Sequence, residues 1–395
     1  MRKIPFTKYT CFGNNFVIVD ETRGPVLSEQ EKMKFAHRAT DGNFGVGSDN
    51  FLVIQRCTRE VLEDINHAHH YWENHLEAGI SDYVFRIFEP NGVEAFCCGN
   101  GLLCMADYLY HRYDIKSARI MTQIPTASPK VIPIGTELER GVSWVNLGHP
   151  ERMPSNLVDR SMIEPYDNEI DMVREVEITR FRQSDGVSFF GDAKSLTLSG
   201  YLVFTGEPHL VIFAENGFSL NQPAEAIFTP GGERNDAGVV VEKRKSTSSS
   251  LVHFIGKYYG RVYSNLFPAG ININFARCIQ ENSALEYRCF ERGINRETLA
   301  CGTGALATAF VAHRLGKVDS DRITVLPHRC RWHDENAEIQ IAAAHEGWQI
   351  HGRPVMLFEG MFALQDWKVE EKECVLPFNV QVAGSRCRYR HMAYN

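Results

Sequence analysis

The chain has 395 residues, 44% hydrophobic and 23% charged, with a formal net charge of -7. That length exceeds what one hydrophobic core usually holds and predicts two domains, while the acidic balance excludes a basic footprint for nucleic acid. No apolar run approaches the roughly 18 residues of a membrane span, and Met1-Arg2-Lys3-Ile4-Pro5-Phe6 leads into polar residues, not a signal-peptide stretch.

In chain order, Thr10-Cys11-Phe12-Gly13-Asn14-Asn15 reads as a turn leading into the strand Phe16–Asp20. A helix is expected from about Ser28 to Thr40, with Ser28 and Glu31 spaced as a capping box. Gly45-Val46-Gly47-Ser48-Asp49-Asn50 precedes the strand Phe51–Ile54; without the lysine of a phosphate loop it reads as a tight turn. Residues 56–82 read as an insertion. Its His67, His69, His70 and His75 lack thiol or acidic partners at ligand spacing, so no metal is assigned to them.

The strand Phe85-Arg86-Ile87-Phe88-Glu89 comes next, then Cys98-Gly99-Asn100-Gly101 and a helical pattern to about residue 112. Val142–Leu147 is a strand, and Gly148-His149-Pro150 marks a boundary. Irregular, charged sequence fills 151–200. Strands at Tyr201–Thr205 and Leu210–Phe213 flank Gly206-Glu207-Pro208-His209. Lys245-Ser246-Thr247-Ser248-Ser249-Ser250 reads as a mobile loop. The strand beginning near Ile271 leads to Tyr287-Arg288-Cys289-Phe290-Glu291, then to Cys301-Gly302-Thr303-Gly304 and a helix to about Leu315. Strands alternate over 322–358, and a tail of unassigned role follows from about 368.

The two halves therefore repeat one order of elements, ending each time in an Arg-x-Phe-Glu strand and a Cys-Gly-x-Gly helix. This is a single duplication, and two similar domains flanking one cleft are its natural architecture. A cysteine at a helix N-terminus meets free backbone N–H groups and the positive end of the macrodipole, which favour thiolate. Cys98 and Cys301 are thus candidates to face each other across one substrate carbon, one thiolate removing a proton and one thiol returning it. The N–H groups of Gly99, Asn100, Gly302 and Thr303 would polarise the substrate carboxylate. Nothing specifies a Schiff-base lysine, so no cofactor is assigned. Cys11, Cys57, Cys278, Cys289, Cys330, Cys374 and Cys387 read as packing residues or surface thiols, as do Cys97 and Cys104 beside the first motif. The odd total of eleven, with no Cys-x-x-Cys pair, predicts a reducing, cytoplasmic setting.

At these residues the sequence resembles the diaminopimelate epimerase family of cofactor-independent, two-cysteine racemases. The resemblance is carried by Gly13–Asp20, Gly45–Asn50, Phe85–Phe88, Cys98–Gly101, Pro208-His209, Phe267–Asn272, Glu291-Arg292-Gly293 and Glu297–Gly304. It implies an α/β (α+β) fold of two pseudo-symmetric lobes, each a central helix wrapped by a curved, mostly antiparallel sheet. The Cys98 lobe would comprise 1–145 plus about 357–395, and the Cys301 lobe 146–356. The resemblance implies Cys98 and Cys301 as acid and base, assisted by His209 and Glu291. It implies substrate contacts from Asn14, Asn50, Glu89, Gly99, Asn100, Glu207, Asn272, Arg292, Gly302 and Thr303. It also implies an amino-acid substrate and a homodimer.

Three positions depart from the family pattern, and so do insertions at about 56–82, 151–200 and 231–260. Glu89 and Glu207 stand where asparagine is usual, and Asn50 where glutamine is usual. With Glu291 they set three acids against Arg292, which disfavours a second substrate carboxylate. The substrate is expected to be an amino acid, either LL- or meso-diaminopimelate or, as the distal acids suggest, one with a basic or neutral polar side chain. The alternative is an isomerase or dehydratase of the proline-racemase or phenazine-isomerase type on the same scaffold; the phenazine enzymes lack paired thiols.

Overall fold

The strands leading to the two cysteine motifs are largely buried on both faces, Arg86 and Arg288 included, because each is covered by a helix on one side and by further structure on the other. The computed structural model describes residues 2–179, 195–230, 232–234, 240–242, 247–279 and 284–364. The predicted tail after about 368 lies outside these residues, as do Cys374, Cys387 and parts of the predicted insertions at 151–200 and 231–260.

Six helices occur among the described residues: α1 (Glu29–Thr40), α2 (Arg59–His69), α3 (Gly99–Tyr113), α4 (Asn221–Ala226), α5 (Thr247–Val262) and α6 (Gly302–Arg314). α1 starts where the capping box predicts, and both reciprocal hydrogen bonds between Ser28 and Glu31 are present. α2 is the helical part of the 56–82 insertion. α5 corrects an expectation. Residues 247–250 open a helix instead of forming a mobile loop, and Ser248 donates to the Thr229 carbonyl at 2.7 Å. Behind the polar start, Leu251, Val252, Ile255 and Tyr259 form a buried apolar stripe, and burying it overrides the weak helix propensity of serine and threonine.

Strand pairing shows the duplication. In the first half, Arg2–Cys11 pairs antiparallel with Asn14–Glu21, which runs parallel to Asn50–Arg56, itself antiparallel to Tyr83–Phe88. Tyr83–Phe88 is parallel to Ser117–Thr122, and two antiparallel steps reach Val142–Asn146. In the second half the series runs Ser195–Phe204, Pro208–Phe213, Asn272–Ile279, Ala284–Glu291, Arg322–Pro327, Ile339–Ala344 and Gly347–Gly352. Its pairings follow the same sequence of antiparallel and parallel steps.

Each series curls around one central helix, α3 or α6. Apolar residues surround α6, where Gly302 to Ala312 are all buried. Two strand pairings link the halves. Gly347–Gly352 pairs with Val142–Asn146, and Val355–Leu364 returns to Arg2–Cys11 with Arg2 opposite Leu364. This is the expected mixed α/β, two-lobe architecture. No described helix is long and apolar enough to cross a membrane.

Candidate active site

Cys98 and Cys301 are the N-cap residues of α3 and α6, both in extended conformation. The helix N-termini abut. A Cβ on Gly302 would lie 2.9 Å from Asn100 Oδ1 and 3.4 Å from Gly99 Cα, so this approach requires glycine. The Asn100 amide donates to the Ala300 carbonyl at 3.2 Å and to Asn14 Oδ1 at 3.1 Å, tying α3 to the residue before Cys301. Helix geometry leaves the first N–H groups of both helices, those of Gly99, Asn100, Gly302 and Thr303, without intrahelical acceptors.

A buried ion pair holds each motif. Arg86 binds Glu94 in a fork (2.7 and 2.6 Å), and Arg288 binds Glu297 likewise (2.6 and 2.7 Å). Both arginines are fully buried. Each glutamate lies four residues before its cysteine, so the fork fixes the hairpin that delivers the cap.

A cavity of about 390 Å³ opens between the two motifs, within the size range of small-ligand sites. Cys98, Cys301, Glu291, Asn14, Glu89, Gly99, Asn100, Glu207, Asn272, Arg292, Gly302 and Thr303 line it. Two predicted site residues lie one layer behind the wall. His209 is fully buried beneath Thr303, and Asn50 is buried and hydrogen bonds to Glu89 from behind.

The two thiols differ. Cys98 Sγ accepts from the Gly101 N–H at 3.4 Å, but burial pushes its ionisation well above the ordinary thiol value. Cys301 lies below that value. The largest cause is a hydrogen bond from Cys289; Thr303, whose Oγ1 is 3.4 Å from Cys301 Sγ, and the Gly304 N–H add to it against burial. Behind Thr303, His209 Nε2 lies 3.1 Å from Thr303 Oγ1, and the Asn274 amide donates to His209 Nδ1 at 2.9 Å. Nε2 therefore carries the ring proton and donates to Thr303, leaving the hydroxyl proton for Cys301. Burial lowers His209 to about 3, so the ring is neutral at ordinary pH. Glu291 accepts a hydrogen bond from Thr298, and burial, then the nearby Cys301, raise it well above the carboxylate range.

At the far end, Arg292 Nε and Nη2 donate to Glu207 Oε2 at 3.1 and 2.6 Å, and Nη1 donates to the Ala269 carbonyl at 2.5 Å. The Arg292 N–H donates to Asn272 Oδ1 at 2.9 Å. Glu89 is raised to about 7, first by burial and then by Glu207.

Cys289, Thr298 and Asn274 are site residues that sequence reasoning missed. Cys289 carried a readable signal. In a strand, residues two apart share a face, and Cys289 lies two before Glu291. Cys289 Sγ, Cys301 Sγ and a Glu291 oxygen lie within 4.8 Å of one another, and among the described residues they form the one group of three donors able to hold a metal ion. In the histidine-rich insertion, His69 Nε2 contacts Glu29 at 3.0 Å and the ring stacks on Tyr71.

No protein-family model matches the chain. A diaminopimelate epimerase of Methanothrix thermoacetophila is 30% identical over 323 residues, covering 80% of this chain and 84% of its own. A diaminopimelate epimerase of Archaeoglobus fulgidus is 28% identical over 322 residues, with the same two coverages. Among solved structures, a hydroxyproline epimerase from Agrobacterium vitis with bound trans-4-hydroxy-L-proline matches the fold. Its TM-score is 0.57 at 11% identity, over 92% of this chain and 94% of that one.

Proposed function

The chain belongs to the diaminopimelate epimerase family, and from that premise we propose that it inverts the α-carbon of a free amino acid by proton transfer between Cys98 and Cys301. As a member of that family it is an isomerase of the racemase and epimerase type. The observation that carries the two-thiol reading is the meeting of two cysteine-capped helix N-termini on one cavity.

The substrate carboxylate sits against the N–H groups of Gly99, Asn100, Gly302 and Thr303, which stabilise the charge that develops as the α-proton leaves. The Cys301 thiolate takes that proton, breaking C–H and forming S–H. The Cys98 thiol gives its proton to the opposite face and becomes the thiolate. Proton exchange with solvent resets the pair, and the reverse reaction swaps the roles. Both halves of the chemistry come from thiols, so the reaction as proposed uses no cofactor. His209 acts through Thr303 as a positioning residue. Glu291, when protonated, adds no charge beside the thiolate.

The same reading assigns the Cys98 lobe to 1–145 with the returning strand from about 357, and the Cys301 lobe to 146–356. It places the enzyme in the cytoplasm, where both thiols stay reduced. It also makes the enzyme a homodimer. Among the described residues, Val355–Leu364 pairs only with Arg2–Cys11 and exposes Val355, Met356, Leu357, Phe358 and Met361, an apolar edge suited to a second copy.

The deciding experiment incubates the enzyme in heavy water with a panel of L-amino acids and LL-diaminopimelate. Deuterium at Cα together with the opposite stereoisomer is expected for at least one. Exchange with none of them removes the racemase reading.

A further inference from the structure

The far end of the cavity holds charges that the proton transfer does not use. Arg292 is the one cationic side chain among the described lining residues, and each of its three nitrogens already donates, two to Glu207 and one to the Ala269 carbonyl. Its guanidinium also lies over Phe96, 5.7 Å from the ring centroid. The Arg292 and Glu207 side chains are 14% and 12% exposed, so the pair is largely shielded from water. A second substrate carboxylate could reach Arg292 only by displacing Glu207, leaving that carboxylate beside Glu89 in a partly dry site.

Glu89 is in the opposite situation. It lines the cavity, with Oε1 3.3 Å from where a Cβ on Gly293 would stand. The charged groups acting on it are Glu207, Asp49 and Arg292, and Glu291 interacts with it from the end of Ala284–Glu291, the equivalent strand of the second half. Asp49 is bound to Arg296 at 3.1 Å and Arg292 to Glu207, so neither cation is free for Glu89. Asn50 supplies an amide but no charge. Val93, Phe96 and Ile294 line the same cavity and offer surface to a methylene stem.

Resting on the racemase reading, we propose that the substrate is an α,ω-diamino monocarboxylic acid, with its side-chain ammonium received by Glu89 and no second carboxylate. Glu207 already occupies, on Arg292, the position that a second carboxylate would need. Binding the ammonium gives Glu89 its missing counter-ion, so preference for such a substrate grows as pH rises through about 7, where Glu89 deprotonates.

The test compares lysine, ornithine, norleucine, 2-aminoadipate and LL-diaminopimelate by the rate of Cα deuteration in heavy water, from pH 6 to 9. The expected result is kcat/KM at least about tenfold higher for lysine or ornithine than for neutral norleucine. The lysine-to-norleucine ratio should rise through pH 7 in the wild type. In Glu89→Gln that ratio should fall about tenfold and lose its pH dependence. Exchange that is fastest with norleucine, 2-aminoadipate or diaminopimelate overturns the proposal while leaving the racemase reading intact. A ratio unchanged by Glu89→Gln overturns it too. Exchange with no amino acid in this panel or the wider one removes both. The wild-type ranking does not depend on whether the variant folds.

Discussion

Cys98 and Cys301 cap equivalent helices, follow equivalent hairpins and sit behind equivalent Arg–Glu forks, yet their thiols ionise differently. Superposing the two strand registers shows why. The positions of His209, Asn274 and Cys289 around α6 correspond to Phe16, Leu52 and Ile87 around α3, and Thr303 corresponds to Asn100. Three side chains of the polar set feed hydrogen bonds toward Cys301, while their counterparts around Cys98 are apolar and fully or almost fully buried. A helix N-terminus alone does not outweigh desolvation of a thiolate; donors aimed at the sulfur do. Two equivalent frames thus hold thiols in different surroundings, a difference that fits the proposed roles of Cys301 as base and Cys98 as acid.

The comparison breaks most visibly at the cysteines. Cys98→Ser and Cys301→Ser should each lower inversion by about 10³-fold or more, since each removes one half of the acid–base pair. Chiral chromatography of the product measures this, and full activity in either variant would remove that residue from the mechanism.

The shared frame comes next. Glu297→Gln leaves buried Arg288 without its carboxylate, at a cost of about 3–5 kcal/mol, whereas in Glu94→Gln Arg86 keeps Glu29 at 2.5 Å. Urea unfolding should therefore show the larger loss for Glu297→Gln. An equal or larger loss for Glu94→Gln would mean that Glu29 does not hold Arg86.

Third, alkylation should separate the thiols. Cys301 ionises below the ordinary thiol value and Cys98 well above it, so at pH 8 iodoacetamide should mark Cys301 at least about tenfold faster. Peptide mass mapping reads this out, and faster labelling of Cys98 reverses the assignment of base and acid. With Cys301 as the proposed base, kcat/KM should rise with pH through its ionisation and stay high until Cys98 loses its proton.

The smallest effects test the donors themselves. Thr303→Val and Cys289→Ala each delete one hydrogen bond of about 1 kcal/mol to the thiolate. Each should cost roughly fivefold in kcat/KM on the acid side of the profile and less on the alkaline side, with Thr303→Ser restoring most of it. A uniform loss across pH would point to a packing role instead.

Much of the frame was readable from residues alone, because the repeat writes itself twice in Arg-x-Phe-Glu and Cys-Gly-x-Gly and the Ser28–Glu31 capping box is local. Contacts that depend on register were not. The forks join residues eight or nine apart across a hairpin, and the Glu207–Arg292 pair spans 85 residues. Cys289 passed for a packing residue because composition weighs a cysteine one at a time, whereas its role comes from a neighbour on an adjacent element. The start of α5 was hidden by Ser248, Ser249 and Ser250, whose loop-like composition said nothing of the apolar stripe behind them.

The pairing of Arg2–Cys11 with Val355–Leu364 sets a schedule for biosynthesis. Of the described strands Arg2–Cys11 is translated first; it gains one of its two neighbours within a dozen residues, but the other is translated last. At ordinary elongation rates the open edge waits roughly 20–70 s. Arg2, Lys3 and Pro5 sit on that edge, and such charges and prolines discourage pairing with foreign strands. The strand Arg2–Cys11 is thus built to remain unmatched along that edge until its own partner arrives.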